Sequence, residues 1–423
     1  MADTHTPSSS FKSKLLRLAS SIGPGIFIIG YIIGTGSVTT MATSGAKYGM
    51  SMTWALGLSC FFTYVTIVCI SRSTIVSGET LLFSIKQKFG KIIAIFVIFG
   101  LMMTELTSIM GVMGIATDVV REWTRPLTAS GNGIHPIWSA LLFTAILYYL
   151  FWKGTHGFFL RAMAVIVALM GCSFVLTMFM VIPEPAEIIK GLVPKLPSGG
   201  NAHLILAGLV GTTMASVCVV TRSYLVAEKG WTLNDLKDEN RDAIISLSLT
   251  FLVSAAIIAC AAGTMYPRGI MVENAIDMVK TLEPLAGRFA TSIFVAGIIA
   301  AALSSLFPNY VLAPWLFCDY LNIPRKMDRP TIRIAVFLLA SLGIVVPLFG
   351  GKPVILMIAS QAVSPVVMPL LIVLLFVLLN DKKYADRYKN PLILNTGLIV
   401  TFIFSLFISY SAVIGLLDFL KNF

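Results

Sequence analysis

Few residues in this 423-residue chain can carry chemistry, and most of them lie inside apolar runs. Glu105, in LMMTELTSIM, sits about as far from the ends of its run as a charge can be placed. A charge at that depth costs roughly 2.5 kcal/mol or more on insertion scales and faces the protein interior. Glu105 is therefore either functional or half of an internal network with hydroxyls such as Thr104, Thr107 or Ser108. The other candidates are neutral oxygens: Gly34-Thr35-Gly36-Ser37 with Thr39, then Thr212-Thr213-Met214-Ala215-Ser216, then Ser304-Ser305, and Ser360-Gln361. Such groups hold a polar solute by hydrogen bonding, and gathered into an oxygen cage they suit a small hard cation such as Na⁺. The plainer alternatives are a helix-packing notch at Gly34–Ser37 and hydroxyls bonded back to the preceding turn at Ser304 and Ser305.

The elements that must position these residues are membrane spans. The chain is 57% hydrophobic and 12% charged, a composition no soluble domain of this length tolerates on its surface. A span needs about 20 mostly apolar residues. By that criterion about eleven segments qualify, near residues 22–49, 52–76, 92–118, 136–152, 160–182, 203–227, 242–266, 285–318, 331–350, 353–380 and 391–417. The first is interrupted at Gly34–Ser37, with a half-helix resuming at Val38; the sixth carries small and hydroxyl residues from Gly208 to Ser216. In hydrocarbon a break in the backbone ladder survives only where it lines a cavity or is buried in protein. Two breaks in corresponding spans, each the first of a five-helix group, point to an inverted-repeat transporter with its site between them.

The formal charge of +11 is topological rather than a nucleic-acid signal. With a cytoplasmic N-terminus, the cytoplasmic side receives Lys12, Lys14, Arg17, Lys86, Lys88, Lys91, Arg325, Lys326, Arg329, Lys382, Lys383, Arg387 and Lys389, about twice the basic count of the other side. An odd number of spans puts the C-terminus outside. A bacterial plasma (inner) membrane is the expected location. The domain plan is a cytoplasmic tail at 1–20, a first repeat at 21–182, a second at 203–380 and an eleventh helix at 391–417. Arg222 is expected to snorkel or to pair with Glu228. The six cysteines show no CxxC or zinc spacing, so no disulfide framework or structural metal site follows. No embedded histidine cluster or carboxylate pair supports an enzyme.

Several stretches resemble the Nramp family of divalent-metal transporters. Gly45-Ala46-Lys47-Tyr48-Gly49 fits the family's Gly-Ala-x-aromatic-Gly ending of its first helix, which places Gly34, Thr35, Gly36 and Ser37 on its DPGN positions. Met214-Ala215-Ser216-Val217 falls on the sixth-helix MPHN, Ser304-Ser305 on a Gly-Gln-Ser-Ser stretch, and Ser360-Gln361 on a Ser-Gln pair. The resemblance implies an all-α polytopic membrane protein with a LeuT-like fold, two inverted five-helix repeats plus one extra helix, working by alternating access. Of the family's metal ligands it carries over only Met214, the Ala215 carbonyl and Gln361; the Asp is Gly34, the Asn is Ser37 and the His is Ser216.

A thioether without a carboxylate is a poor divalent site. The leading expectation is therefore a small organic or zwitterionic substrate, such as a small amino acid. It would be held by Gly34, Thr35, Gly36, Ser37, Thr39, Thr212, Thr213, Met214, Ala215, Ser216 and Gln361, its carboxylate at the half-helix N-terminus. The alternative is a divalent cation of the Mn²⁺ or Mg²⁺ type, largely hydrated, with Met214 and Gln361 as ligands. A channel or receptor is a third class, disfavoured by the paired breaks. No cofactor is expected. The coupling ion would be H⁺ at Glu105 or Na⁺ at Ser304 and Ser305, and the partners are the substrate and the lipid bilayer.

Overall fold

The computed structural model describes residues 25, 29–30, 32–154, 156–181, 184–197, 201–272, 275–350, 353–382 and 390–421. The expected tail at 1–20 lies outside them, as do Lys383, Arg387 and Lys389. The described residues form helices and connecting loops, with no strand among them. In chain order the helices are α1 (Thr35–Tyr48), α2 (Thr53–Ser77), α3 (Leu81–Phe89), α4 (Lys91–Thr124), α5 (Pro136–Lys153), α6 (His156–Met180), α7 (Pro185–Lys190), α8 (Ala202–Thr213) and α9 (Ser216–Lys229). Then come α10 (Leu236–Thr264), α11 (Ala275–Leu321), α12 (Pro330–Leu342), α13 (Val345–Phe349), α14 (Pro353–Leu379) and α15 (Leu392–Lys421). Nine helical stretches among the described residues are long and apolar enough to cross a bilayer. The expected fifth span is the helix α6, and the first is α1 together with the helical residues before it.

Burial ranks these spans. The apolar window of Ala202–Lys229 is 100% buried inside the protein, whereas only 33% of that of Pro136–Lys153 is. The sixth span is thus the bundle's centre, and α5 belongs to its lipid-facing rim, where Trp138 is 67% exposed. Around the centre α8 packs on α14 and α15, α1 on α10, and α4 on α11 and α14.

One end of the bundle gathers the basic loops. Lys86 donates to the Tyr320 carbonyl, Lys88 pairs with Asp381 at 2.5 Å, and Arg325 lies 3.4 Å from Asp319 and 3.9 Å from Glu228. The chain segments after the second, sixth, eighth and tenth spans therefore share a face, the arrangement that the charge bias requires.

Beneath that face a buried charge cluster ties the first span to the seventh. Arg222 is fully buried, and the expected pairing with Glu228 is not what it makes. Its guanidinium donates to Asp242 Oδ2 at 2.5 Å, to Glu239 Oε1 at 3.4 Å and to Ser71 Oγ at 2.9 Å. The reason is reach: the first two turns of α10 bring the carboxylates of Glu239 and Asp242 to the buried Arg222, leaving Glu228 to Arg325 nearer the surface. Asp242 Oδ1 also accepts from the Gly25 amide at 3.1 Å, which fastens the start of the first span to α10. Breaking a buried pair leaves an uncompensated charge and costs about 3–5 kcal/mol. Asp242→Asn should therefore lower the thermal unfolding midpoint in detergent clearly, and an unchanged midpoint would show that the cluster does not hold this end together.

Candidate functional site

Both expected interruptions are present, and each has a local cause. In the first span Ile33 N–H closes on the Ile29 carbonyl at 2.8 Å, and the ladder resumes with Val38 N–H on the Gly34 carbonyl at 3.0 Å. Gly34 between them is extended (φ −98°, ψ −175°). The break is shorter than the sequence suggested: Thr35, Gly36 and Ser37 are already the first turn of α1, because a single extended residue suffices to redirect the chain. In the sixth span α8 ends at Thr213 and α9 begins at Ser216. The Ser216 amide, which in a continuous helix would bond to Thr212, donates instead to Ser364 Oγ at 3.0 Å, so the Thr212 carbonyl is released from the ladder.

Between the breaks lies a cavity of about 20 Å³, room for roughly one or two waters. The first span contributes Ile32, Gly34, Gly36 and Ser37, and the sixth contributes Thr212, Ala215 and Val217. From α4 come Thr104 and Ser108, from α11 Ser305 and Asn309, and from α14 Met357, Gln361 and Ser364. Among the described residues the polar lining is neutral, with no acidic or basic side chain in it. Ser37 Oγ and Ser305 Oγ are buried without a hydrogen-bond partner among the described residues, a costly state unless something in the cavity binds them.

An acidic side chain lies one hydrogen bond behind this wall. Glu105 is fully buried. The Asn309 carboxamide, oriented to satisfy its neighbours, donates to Glu105 Oε2 at 3.2 Å and to the Ser305 carbonyl at 3.0 Å, and accepts from Ser108 Oγ at 3.1 Å. Asn309 thus links the Glu105 carboxyl group to two further residues of the cavity lining, Ser305 and Ser108.

The expected site residues divide by helix face. Gly34, Gly36, Ser37, Thr212, Ala215, Gln361 and Ser305 line the cavity. Thr35 and Thr39, one turn apart, are buried but absent from the lining; they share a face that Gly34 and Ser37, also one turn apart, do not. Thr213 bonds back to the Leu209 carbonyl at 3.3 Å. Ser216 joins its hydroxyl to Ser364 at 3.2 Å, and Ser304 bonds back to Ala301 at 2.9 Å. Met214, the expected soft ligand, packs into the apolar core and does not line the cavity. The thioether that does is Met357, one turn before Gln361. Asn309, one turn after Ser305, was also missed. The i, i+4 spacing from the residues already singled out is the signal that finds both.

Close backbone approach holds the cavity together. A Cβ at Gly211 would come within 2.1 Å of the Gln361 carbonyl oxygen, and one at Gly36 within 2.3 Å of Met357 Cε and 2.8 Å of Gln361 Nε2. These glycines let the first and sixth spans press against α14.

A family model described as natural resistance-associated macrophage protein-like matches residues 25–415. The chain belongs to the Nramp family. A protein named divalent metal cation transporter MntH, from Deinococcus radiodurans, is 24% identical over 364 residues, 82% of this chain and 78% of that one. Another MntH, from Caldanaerobacter subterraneus, is 25% identical over 53% of this chain, and the match spans about half, 54%, of that protein's length. The manganese transporter of Eremococcus coleocola superposes with a TM-score of 0.75 at 15% identity, covering 98% of this chain and 89% of that one. The fold is the LeuT-like arrangement that the Nramp resemblance implied.

Within this Nramp fold the two glycines should respond differently to substitution. Gly211→Ala meets rigid backbone and should force α8 from α14, lowering the unfolding midpoint. Gly36→Ala meets the ends of flexible side chains and should cost much less stability. Equal midpoints for the two variants would contradict the packing described.

Proposed function

We propose that this Nramp-family protein is a secondary transporter of a small hard divalent cation, of the Mg²⁺ or Mn²⁺ type, working by alternating access. The observation that carries this reading is the cavity itself: ion-sized, neutral and oxygen-bearing, with the Glu105 carboxylate behind Asn309. Hydroxyls, carboxamides and carbonyls freed at the breaks are the ligand types hard cations take. The families named for the relatives, divalent metal cation and manganese transporters, point the same way.

A zwitterionic substrate is the weaker reading on two counts. Even the smallest amino acid needs more than the room of one or two waters. Its carboxylate would also enter a site whose nearest charge is negative. The half-helix N-terminus at Thr35 favours an anion, but among the described residues the cavity has no basic side chain to complete such a pocket. The volume also argues against an ion keeping its whole hydration shell: a bare or nearly bare cation fits, with water lost to Ser37, Ser305, Thr212 and Gln361. Among the described residues no cluster of three or more His, Cys, Asp or Glu forms a transition-metal centre, in keeping with a hard ion.

For coupling, Glu105 is the group we assign, as an exchangeable proton carrier whose charge answers the cation's. Ser304 turns its hydroxyl to the Ala301 carbonyl and stands outside the cavity lining, so the two adjacent serines do not face the cavity together as a Na⁺ cage there would require. We assign the face that gathers the basic loops, and with it the N-terminus, to the cytoplasmic side, on the positive-inside bias.

The test is uptake by purified protein in proteoliposomes. Mg²⁺ or Mn²⁺ should accumulate saturably, with no competition from an amino-acid panel. Glu105→Gln should reduce cation uptake by about tenfold or more, as expected for losing a charge-assisted interaction of roughly 1.5–3 kcal/mol. Amino-acid accumulation that ignores divalent ions would overturn the reading.

A further inference from the structure

A second, larger cavity opens at the end of the bundle away from the basic loops. It encloses about 640 Å³ between the end of α4, the connection to α5 and the end of α13, a volume within the range of small-ligand pockets. Its charged lining residues are Asp118, Arg121 and Arg125, with His135 at the start of α5. Glu122 neutralises Arg125 at 2.8 Å. No ion pair joins Asp118 to Arg121 among the described residues, and Arg121 Nε is buried without a hydrogen-bond partner. Asp118 and Arg121, one turn apart on α4, line the same space and feel each other's charge without a direct ion pair between them.

The wall is built to stay. Gly133 sits at φ +72°, and a Cβ there would meet the Arg121 carbonyl oxygen at 2.0 Å. Its amide donates to Thr128 Oγ1 at 3.0 Å, and the Ile134 amide donates to Thr124 Oγ1 at 2.9 Å. Around the mouth lie exposed apolar side chains: Trp138 at 67%, Phe349 at 80% and Leu348 at 53%. In a protein that spans the bilayer such residues meet lipid, and tryptophan prefers the interfacial level.

We propose that this cavity binds the headgroup of a zwitterionic aminophospholipid, its phosphate on Arg121 and its ammonium on Asp118, with the acyl chains lying over Leu348, Phe349 and Trp138. The arginine fork suits a phosphate, and the aspartate accepts the hydrogen bonds of a primary ammonium. An anionic headgroup would leave Asp118 facing like charge, and a quaternary ammonium has no N–H to give it. The site shares α4 with the transport cavity but lies more than a turn beyond Ser108, so an occupant would brace α4 against α13 without entering the cation's path.

Native mass spectrometry of the purified protein with equal amounts of phosphatidylethanolamine, phosphatidylglycerol and phosphatidylcholine tests this. Phosphatidylethanolamine should be retained preferentially. Arg121→Gln should lower its retention by about tenfold, the equivalent of one charge-assisted contact. Asp118→Asn should erase the preference over phosphatidylglycerol without reducing phosphatidylglycerol itself, and it decides the matter alone if Arg121→Gln does not fold. Equal retention of the three lipids by the unsubstituted protein, or an unchanged preference in Asp118→Asn, would overturn the proposal. So would free phosphoethanolamine binding as tightly as the lipid, since that would make the ligand a soluble metabolite.

Discussion

A helix interrupted inside hydrocarbon must find new partners for the backbone groups it releases, and in this protein one helix meets both interruptions. Ser364 of α14 takes the Ser216 amide at the break in the sixth span. One turn earlier the backbone at Gln361 is pressed against Gly211, and the Gln361 and Met357 side chains against Gly36. The same face of α14 thus closes the sixth-span break, packs on the first-span break and supplies a thioether, a carboxamide and a hydroxyl to the cavity between them. Support and site are one structure, and a shift of α14 would alter both together.

Charge is distributed with the same economy. The lining is neutral, which avoids placing an unpaired ion in a buried space. The acidic side chain nearest to it, Glu105, stands one hydrogen bond back and is linked to the cavity through Asn309. The stronger charges are kept toward the basic end, where Arg222, Asp242 and Glu239 satisfy one another and the Gly25 amide adds the tie to the first span. That tie is a hydrogen bond to backbone, worth about 0.5–1.5 kcal/mol net, and it adds to the close packing of α1 on α10, where a Cβ at Gly45 would meet the Ile258 carbonyl oxygen at 2.5 Å.

Much of this was legible in the sequence because it follows from one-dimensional constraints. Apolar length gives the spans, lysine and arginine bias gives the shared face of the loops, and Gly34 and Met214-Ala215 mark the breaks. Glu105 stands out by depth alone. What stayed hidden depends on which face a side chain takes. Met214 borders the break yet points its bulk into the core, while Met357 in an unremarked stretch of α14 reaches the cavity. Ser304 and Ser305 are adjacent, and only the second faces inward. Arg222 could be seen to need a partner, but the choice of Asp242 over Glu228 rests on where the start of α10 lies in the folded bundle, which no local pattern encodes. The substrate expectation turned on the missing Asp at Gly34; that a carboxyl group from a different span is linked to the same cavity through an asparagine is not something motif comparison reveals.

The most direct measurement is an anomalous difference map from crystals of this protein soaked in Mn²⁺. The account predicts a single strong peak between Gly34–Ser37 and Thr212–Ala215, within coordination reach of Gln361 and weakened in Glu105→Gln. No peak there, with density of an organic molecule occupying the gap in its place, would contradict it.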